Sequence, residues 1–256
     1  MPSHAGAEGR NLTSFNKYKL DDRSIFVDWS AYAVAYDLLS AHNPEYRALM
    51  HEFEAFLATI STPKTIYDIG GGTGNYTEIA ARNFPGSQLH LVEPDAGMIG
   101  LARAKLADYG NVTYHRIPIE GVTASDKADL VICVHALYAM PAHEERLRDL
   151  HRLLRPGGLL YLVDLGRYMN VADWRSYLFS NLIKERGLIC ALRLLWRGRE
   201  IAKQNKAILK AQKDGVYWTH TAEEIASAVT SAGFTIARQK SVYRGYSDLL
   251  VCKAMP

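Results

Sequence analysis

Thr65-Ile66-Tyr67-Asp68-Ile69-Gly70-Gly71-Gly72-Thr73-Gly74-Asn75 is the stretch from which the fold is read. A short apolar run ends in an acid and passes into a glycine-rich turn. From Tyr76 to Asn83, Ile79 and Ala80 then fall on a helical period. Strand, tight turn and helix N-terminus in that order make the unit with which α/β proteins hold nucleotide-like ligands. Glycine suits such a turn because the backbone reaches positive φ and a ligand can approach without a Cβ in the way. A dinucleotide fingerprint puts glycines at the first, third and sixth positions counted from Gly70, and the sixth here is Asn75. Asp68 sets a carboxylate at the strand's end. Beside a pyrophosphate that charge costs Coulomb energy, and beside a cationic ligand it stabilises. The turn therefore reads as a site for a nucleoside carrying positive charge.

The pattern Asp68-x-Gly70-x-Gly72-x-Gly74 resembles the first motif of the class I S-adenosylmethionine-dependent methyltransferases. The rest of the chain follows that resemblance in order. Gln88–Glu93 reads as a second strand stopped by Pro94, and Glu93 lies about 20 residues past the glycine turn, where an acid commonly takes ribose hydroxyls. The family pattern runs on through Asp95 and Met98 into a helix over Ala96–Tyr109. Val112–Ile117 is a third strand. The family often places an acid after it on the adenine amino group; here the stretch is Ile117-Pro118-Ile119, so that contact falls to Glu120 or to backbone around Ile117 and Ile119. Asp129–Val134 is a nearly continuous apolar fourth strand, and the resemblance turns the residues after Val134 toward the reaction centre. They read His135-Ala136-Leu137-Tyr138, without the Asn/Asp-Pro-Pro-aromatic sequence that marks methylation of planar amide or amino nitrogens in resembling enzymes. A helix from Pro141 ends at Arg155-Pro156-Gly157-Gly158, and Leu159–Leu165 is the fifth strand. Thr221-Ala222-Glu223-Glu224 is a capping box opening a helix to about Ala232. Phe234–Tyr243 and Tyr246–Ala254 form a tightly linked antiparallel pair, with Arg244 and Tyr246 in structural roles. The resemblance implies an α/β fold: a seven-stranded, mostly parallel Rossmann-like sheet with a C-terminal antiparallel hairpin. A nicotinamide dehydrogenase is disfavoured by Asp68, Asn75 and that hairpin.

Two regions flank this frame. Helices over 28–39 and 44–60 precede the first strand. The second carries a core stripe, whereas Trp29, Tyr32 and Tyr36 on the first either pack or line a substrate mouth. By analogy with the family they form a lid, with Tyr18 a further candidate. Between the fifth strand and the capping box lies an insertion read as a helical cap, aromatic over Tyr168–Leu182 and basic over Lys184–Lys213. Leu188, Leu192, Leu195, Trp196, Ile201, Ile208 and Leu209 are its candidate buried stripe. Three readings stand: a cap with a solvated basic face, contact with an anionic substrate or peripheral membrane surface through 184–213, and an RNA contact. The last is disfavoured because aromatics do not alternate with the bases. Tyr217, Trp218 and His220, where the cap returns, are candidate pocket residues. The division expected is 1–60 tail and lid, 61–166 cofactor-binding half, 167–220 cap, and 221–256 terminal helix and hairpin.

At 256 residues, 48% hydrophobic and 22% charged, the chain has the composition of a globular α/β protein, and a net charge of +3 is too small to imply nucleic acid. Cys133, Cys190 and Cys252 are far apart and without metal spacing, so reduced thiols, no metal and a cytoplasmic setting are expected. No apolar run reaches the roughly 18 residues of a membrane span. The resemblance implies S-adenosyl-L-methionine as cofactor and a small-molecule acceptor methylated on N or O. His135 is the candidate general base, because imidazole titrates near neutral pH, and Tyr138 would orient the acceptor. The alternatives are an enzyme acting on a membrane lipid or macromolecule through the basic cap, and a module that holds the cofactor without turnover.

Overall fold

The computed structural model describes residues 27–123 and 127–256. Tyr18 lies outside them. The elements run α1 (Trp29–His42), α2 (Pro44–Leu57), β1 (Thr65–Ile69), α3 (Asn75–Asn83), β2 (Gln88–Val92), α4 (Ala96–Lys105), β3 (Val112–His115), β4 (Ala128–Val134), α5 (His143–Leu153), β5 (Leu154–Leu165), α6 (Val171–Arg186), α7 (Leu188–Arg197), α8 (Arg199–Lys213), α9 (Ala222–Ser231), β6 (Phe234–Val242) and β7 (Ser247–Ala254). The strands form one sheet in the order β3-β2-β1-β4-β5-β7-β6. Strands β1 to β5 are parallel, and β7 is antiparallel to both β5 and β6. The expected seven-stranded sheet with a terminal hairpin is therefore the observed one.

Strand periodicity sorts the core onto two faces. Ile66, Leu130, Ile132, Tyr161, Val163 and Leu249 pack under α2 and α3. Tyr67, Val131, Cys133, Leu160, Leu162 and Leu250 pack under α5 and α9. Both faces are covered, which is why every residue of β1 and all but one of β4 are buried. The caps are local in origin. Asn43 accepts from the Glu45 amide, with Pro44 in the first turn of α2. Asp95 accepts from the Met98 amide at the start of α4, and Thr221 with Glu224 closes the reciprocal box of α9.

Several boundaries differ from expectation: α2, α4 and β3 end earlier, at Leu57, Lys105 and His115, and α1 runs on to His42. Helix α5 starts at His143, not Pro141, because Ala142 sits in the left-handed region at φ 54°. Strand β5 starts at Leu154, which pairs with Ala128 before an irregularity in register, so Arg155–Gly158 belongs to the strand's edge. The basic stretch 184–213 is not one helix: α6 runs to Arg186, and Gly187 and Gly198 separate α6, α7 and α8.

Candidate active site

The chain leaves β1 for β2 and β3 on one side and returns to β4 on the other, so the loops after β1 and β4 part and leave a crevice at the carboxyl ends of those strands. The glycine turn forms one wall. The amides of Gly70 and Gly71 donate to the Val92 carbonyl at 2.8 and 3.2 Å, and the Gly74 amide donates to the Gly71 carbonyl at 2.9 Å. Gly70 has φ +67°, and a Cβ there would run into the Cβ of Ala136 on the opposite wall. Gly72 and Gly74 also have positive φ, and a Cβ on Gly74 would meet Leu106 Cδ1 at 2.8 Å.

Two buried acids serve this turn. Asp68 lies beneath it, within 3.0 Å of where a Gly71 Cβ would be, and its Oδ2 accepts from Thr77 Oγ1 at 2.6 Å. Burial raises its carboxyl to about 6, against the lowering effect of the Thr77 contacts. Glu93 ends the neighbouring strand. Its Oε2 accepts from the Gly72 amide at 3.0 Å and its Oε1 from the Asp95 amide at 2.9 Å. Burial raises Glu93 to about 7, against those two amides. Pro94 then carries the chain into α4, where Met98 is buried against Tyr32 and Ala33 of α1. Ile117, Pro118 and Ile119 lead into a single 3₁₀ turn over Ile119–Gly121. Glu120 in that turn is engaged elsewhere, its Oε2 2.8 Å from Arg146 of α5.

Helix α1 is fastened over this region. Ser30 Oγ donates to the Asp95 carboxylate at 2.9 Å. Lys105 Nζ donates to Asp37, Thr73 and Asn75, and Thr73 Oγ1 donates to Asp37 at 2.7 Å. A lid helix is thereby tied to the turn it covers.

The second wall begins at Val134, after which His135 takes φ +51°, a conformation rare for a residue with a side chain and found where surroundings over-determine it. Its amide donates to the Val163 carbonyl at 2.7 Å, and its Nε2 is 2.9 Å from Ser247 Oγ at the start of β7. The ring meets Tyr243 edge to face, centroids 4.8 Å apart. Burial lowers this imidazole to about 4, so it is neutral at physiological pH rather than titrating near neutrality as expected from sequence.

His135 opens into a small aromatic chamber of about 60 Å³, shared with Trp29, Tyr32 and Tyr36 of the lid, with Tyr138, and with residues from distant elements: Asn43, Tyr46, Trp174 and Tyr243. Asn43 Nδ2 donates to the Tyr243 hydroxyl at 3.0 Å, and Tyr36 and Tyr46 share a hydroxyl contact at 3.1 Å. Trp174 is only 4% exposed, and its indole Nε1 is buried without a hydrogen-bond partner among the described residues. Among the described residues no carboxylate lines the chamber.

The lid tyrosines and Trp29 line one chamber with His135 and Tyr138, whereas the side chains of Trp218 and His220 at the cap's return lie elsewhere. Trp218 stacks on His143 with centroids 4.0 Å apart and packs with the α5 and α9 face of the sheet. His220 is buried between two acids, Nε2 3.2 Å from Asp164 and Nδ1 3.7 Å from Asp248, and holds the core rather than a pocket. Of the three, Tyr217 touches the site's rim edge to face on Tyr138, and the Trp218 amide donates to the Tyr138 carbonyl at 2.9 Å. Sequence reading passed over Asn43, Trp174, Tyr243 and Ser247, since each reaches the chamber only through tertiary packing. Arg244 and Tyr246 are structural as expected, both bonded to Asp173 of α6.

A family model described as a methyltransferase domain matches residues 41–239. The ubiquinone/menaquinone biosynthesis C-methyltransferase UbiE of Hahella chejuensis is 26% identical over 151 residues, covering 57% of this chain and 61% of that protein, less than two thirds of its length. The N-methyltransferase NodS of Bradyrhizobium japonicum, solved with S-adenosyl-L-homocysteine, superposes with TM-score 0.60 at 14% identity over 90% of this chain and all of that one. A SAM-dependent methyltransferase of Aquifex aeolicus superposes with TM-score 0.57 at 14% identity over 86% of this chain and 98% of that one.

Proposed function

The chain belongs to the methyltransferase-domain family, and from that premise we propose that it binds S-adenosyl-L-methionine in the β1–β4 crevice and methylates a hydroxyl oxygen of an uncharged aromatic small molecule in the chamber. The residues present fit that donor. Gly72 leaves open space with only Met98 Sδ at 3.8 Å from where a Cβ would stand. Each Glu93 oxygen accepts one backbone amide and has a lone pair left for a ribose hydroxyl. Asp68 supplies negative charge close to a sulfonium, and backbone around Ile117 and Ile119 would take the adenine edge, with Glu120 held away by Arg146.

When bound, the donor supplies an activated methyl group. The protein's part is alignment. The observation that carries the acceptor assignment is the chamber's polarity among the described residues: a neutral imidazole and an unpartnered indole N–H, with aromatic walls and no carboxylate. A cationic amine would find no counter-charge there. A phenolic oxygen would accept from Trp174 Nε1 while its proton is held by the imidazole of His135, which Ser247 orients. Carbon methylation of the same kind of ring is the second reading, favoured by the match to a C-methyltransferase; loss of the hydroxyl proton feeds electron density to the oxygen and to the adjacent ring carbon alike. Incubating cell extract with enzyme and deuteriomethyl donor, followed by mass spectrometry, tests both. Label on a phenolic oxygen supports the first, label on ring carbon the second, and label on an amine nitrogen overturns the chamber argument.

Two expectations arise here. Donor binding favours the ionised forms of Asp68 and Glu93, whose carboxyls lie near 6 and 7 without it. Affinity for S-adenosyl-L-methionine, which carries the sulfonium, should by calorimetry level off above pH ~7.5 and fall below it, by up to ~10-fold per pH unit for each group still to be ionised. A flat affinity down to pH 5 would detach both acids from the donor. For His135, the pH–rate profile at saturating donor should lack a limb near 6.5, because its imidazole is already neutral there. His135→Gln, which keeps an acceptor, should retain more turnover than His135→Phe, which loses a hydrogen bond and about 10-fold in rate.

A further inference from the structure

We propose that α7 is a docking surface for bilayers bearing anionic phospholipid headgroups. Its sequence is Leu188-Ile189-Cys190-Ala191-Leu192-Arg193-Leu194-Leu195-Trp196-Arg197, and its inward side is served by Ala191 and Leu194, both buried. Of the residues read from sequence as a buried stripe, Ile208 of α8 is buried in the core, whereas Leu188, Leu192 and Trp196 of α7 face outward and are joined there by Ile189. Leu188, Ile189, Leu192 and Trp196 are 54, 70, 53 and 68% exposed, half of the large apolar side chains that stand out from the described surface. At 3.6 residues per turn these four cover about 100° of the helix, and Arg193 and Arg197 occupy the sector beside them. An apolar sector ending in tryptophan and bordered by arginine suits a membrane interface, where the ring sits at headgroup depth and long cationic stems reach back to water.

Charge commits the occupant. Arg186, Arg193 and Arg197 have no ion pair among the described residues, while the nearby acids are taken, Glu185 by Arg47 at 2.8 Å and Glu200 by Lys203 at 3.2 Å. A second copy docked face to face by this sector would set these arginines against their own counterparts. An anionic headgroup layer matches them.

The position of α7 gives the surface a use. Leu192, Leu195 and Trp196 line one side of a cleft of about 690 Å³ between α6, α7 and α8, and its inner end includes Trp174 and Leu178. Those same two side chains line the chamber beside His135. A lipid-dissolved molecule would thus meet apolar wall from the bilayer surface inward. The docking itself does not depend on methyl transfer and is tested without donor or acceptor.

The test is co-sedimentation of the full chain with vesicles of phosphatidylcholine alone and of equimolar phosphatidylcholine and phosphatidylglycerol at physiological ionic strength. Binding to the anionic vesicles should exceed binding to the neutral ones by ~10-fold or more and weaken as salt screens the arginines. Leu192→Glu with Trp196→Glu should abolish it, Arg193→Gln with Arg197→Gln should reduce it several-fold, and melting curves should stay unchanged because these side chains are exposed. Wild-type binding that is absent, or equal on the two vesicle types, overturns the proposal. So does a dimer by light scattering that the Leu192→Glu, Trp196→Glu chain converts to monomer.

Discussion

Gly70→Ala is expected to weaken binding of S-adenosyl-L-homocysteine by ~100-fold while leaving a folded protein. Two costs combine. At φ +67° a side chain brings ~1–2 kcal/mol of backbone strain, and the new Cβ overlaps that of Ala136, which overpacking data put at ~1–3 kcal/mol. A domain with several kcal/mol of stability survives that sum, but the overlap is relieved by parting the two walls that must hold the donor between them. The overlap involves one identified atom, so a second substitution separates the two costs. Ala136→Gly in the Gly70→Ala background removes the obstructing Cβ and should recover ~10-fold in affinity, leaving the φ cost in place. Calorimetry on the four proteins of this cycle reads the coupling. If Ala136→Gly recovers nothing, the walls are not in contact through these atoms.

That contact also marks where sequence reading reaches its limit. Asp68, the three alternate glycines, Glu93 and the terminal hairpin were legible because each is a local pattern, fixed by strand ends, turn conformation or short-range spacing. The chamber was not. Asn43 caps α2, Trp174 lies in α6, Tyr243 sits in the turn before β7, and Ser247 opens that strand; no sequence interval relates them. Proximity in sequence misled in the other direction. Trp218 and His220 follow Tyr217 closely, yet they turn to the opposite side of the sheet and to its interior. The basic insertion shows a third kind of failure. Counting apolar residues predicts a stripe but not which sector the neighbours will cover, and Gly187 and Gly198 were readable as breaks that redirect α7. Glu120 was a reasonable adenine ligand until Arg146, 26 positions downstream on α5, was found to hold it.

His220→Leu is expected to destabilise the protein by ~3–5 kcal/mol, the usual result of taking one partner from a buried ionic group. For a chain of this length that corresponds to a melting temperature lower by ~10 °C. The imidazole lies between Asp164 and Asp248, all three fully buried, with Arg167 bonded to Asp248 from the rim. Leucine approximates the volume and supplies no proton to Asp164. Burial already holds the Asp164 carboxyl above its usual range, with His220 pulling it back, so removing the imidazole raises it further. The sign follows: a carboxyl raised on folding makes the native state bind the extra proton, and stability then increases as pH falls through that window. The deficit should shrink as the pH is lowered towards the raised carboxyl, whereas a purely steric defect would be independent of pH. Asp164→Asn in the His220→Leu background removes the unpaired charge and should recover part of the loss at pH 8. Activity should fall with stability for a stated reason. Asp164 also accepts from the Tyr138 amide at 3.0 Å, and Asp248 follows Ser247 directly. The buried cluster therefore fixes two points of the chamber, the backbone of Tyr138 and the hydroxyl that orients His135, and loosening it releases both.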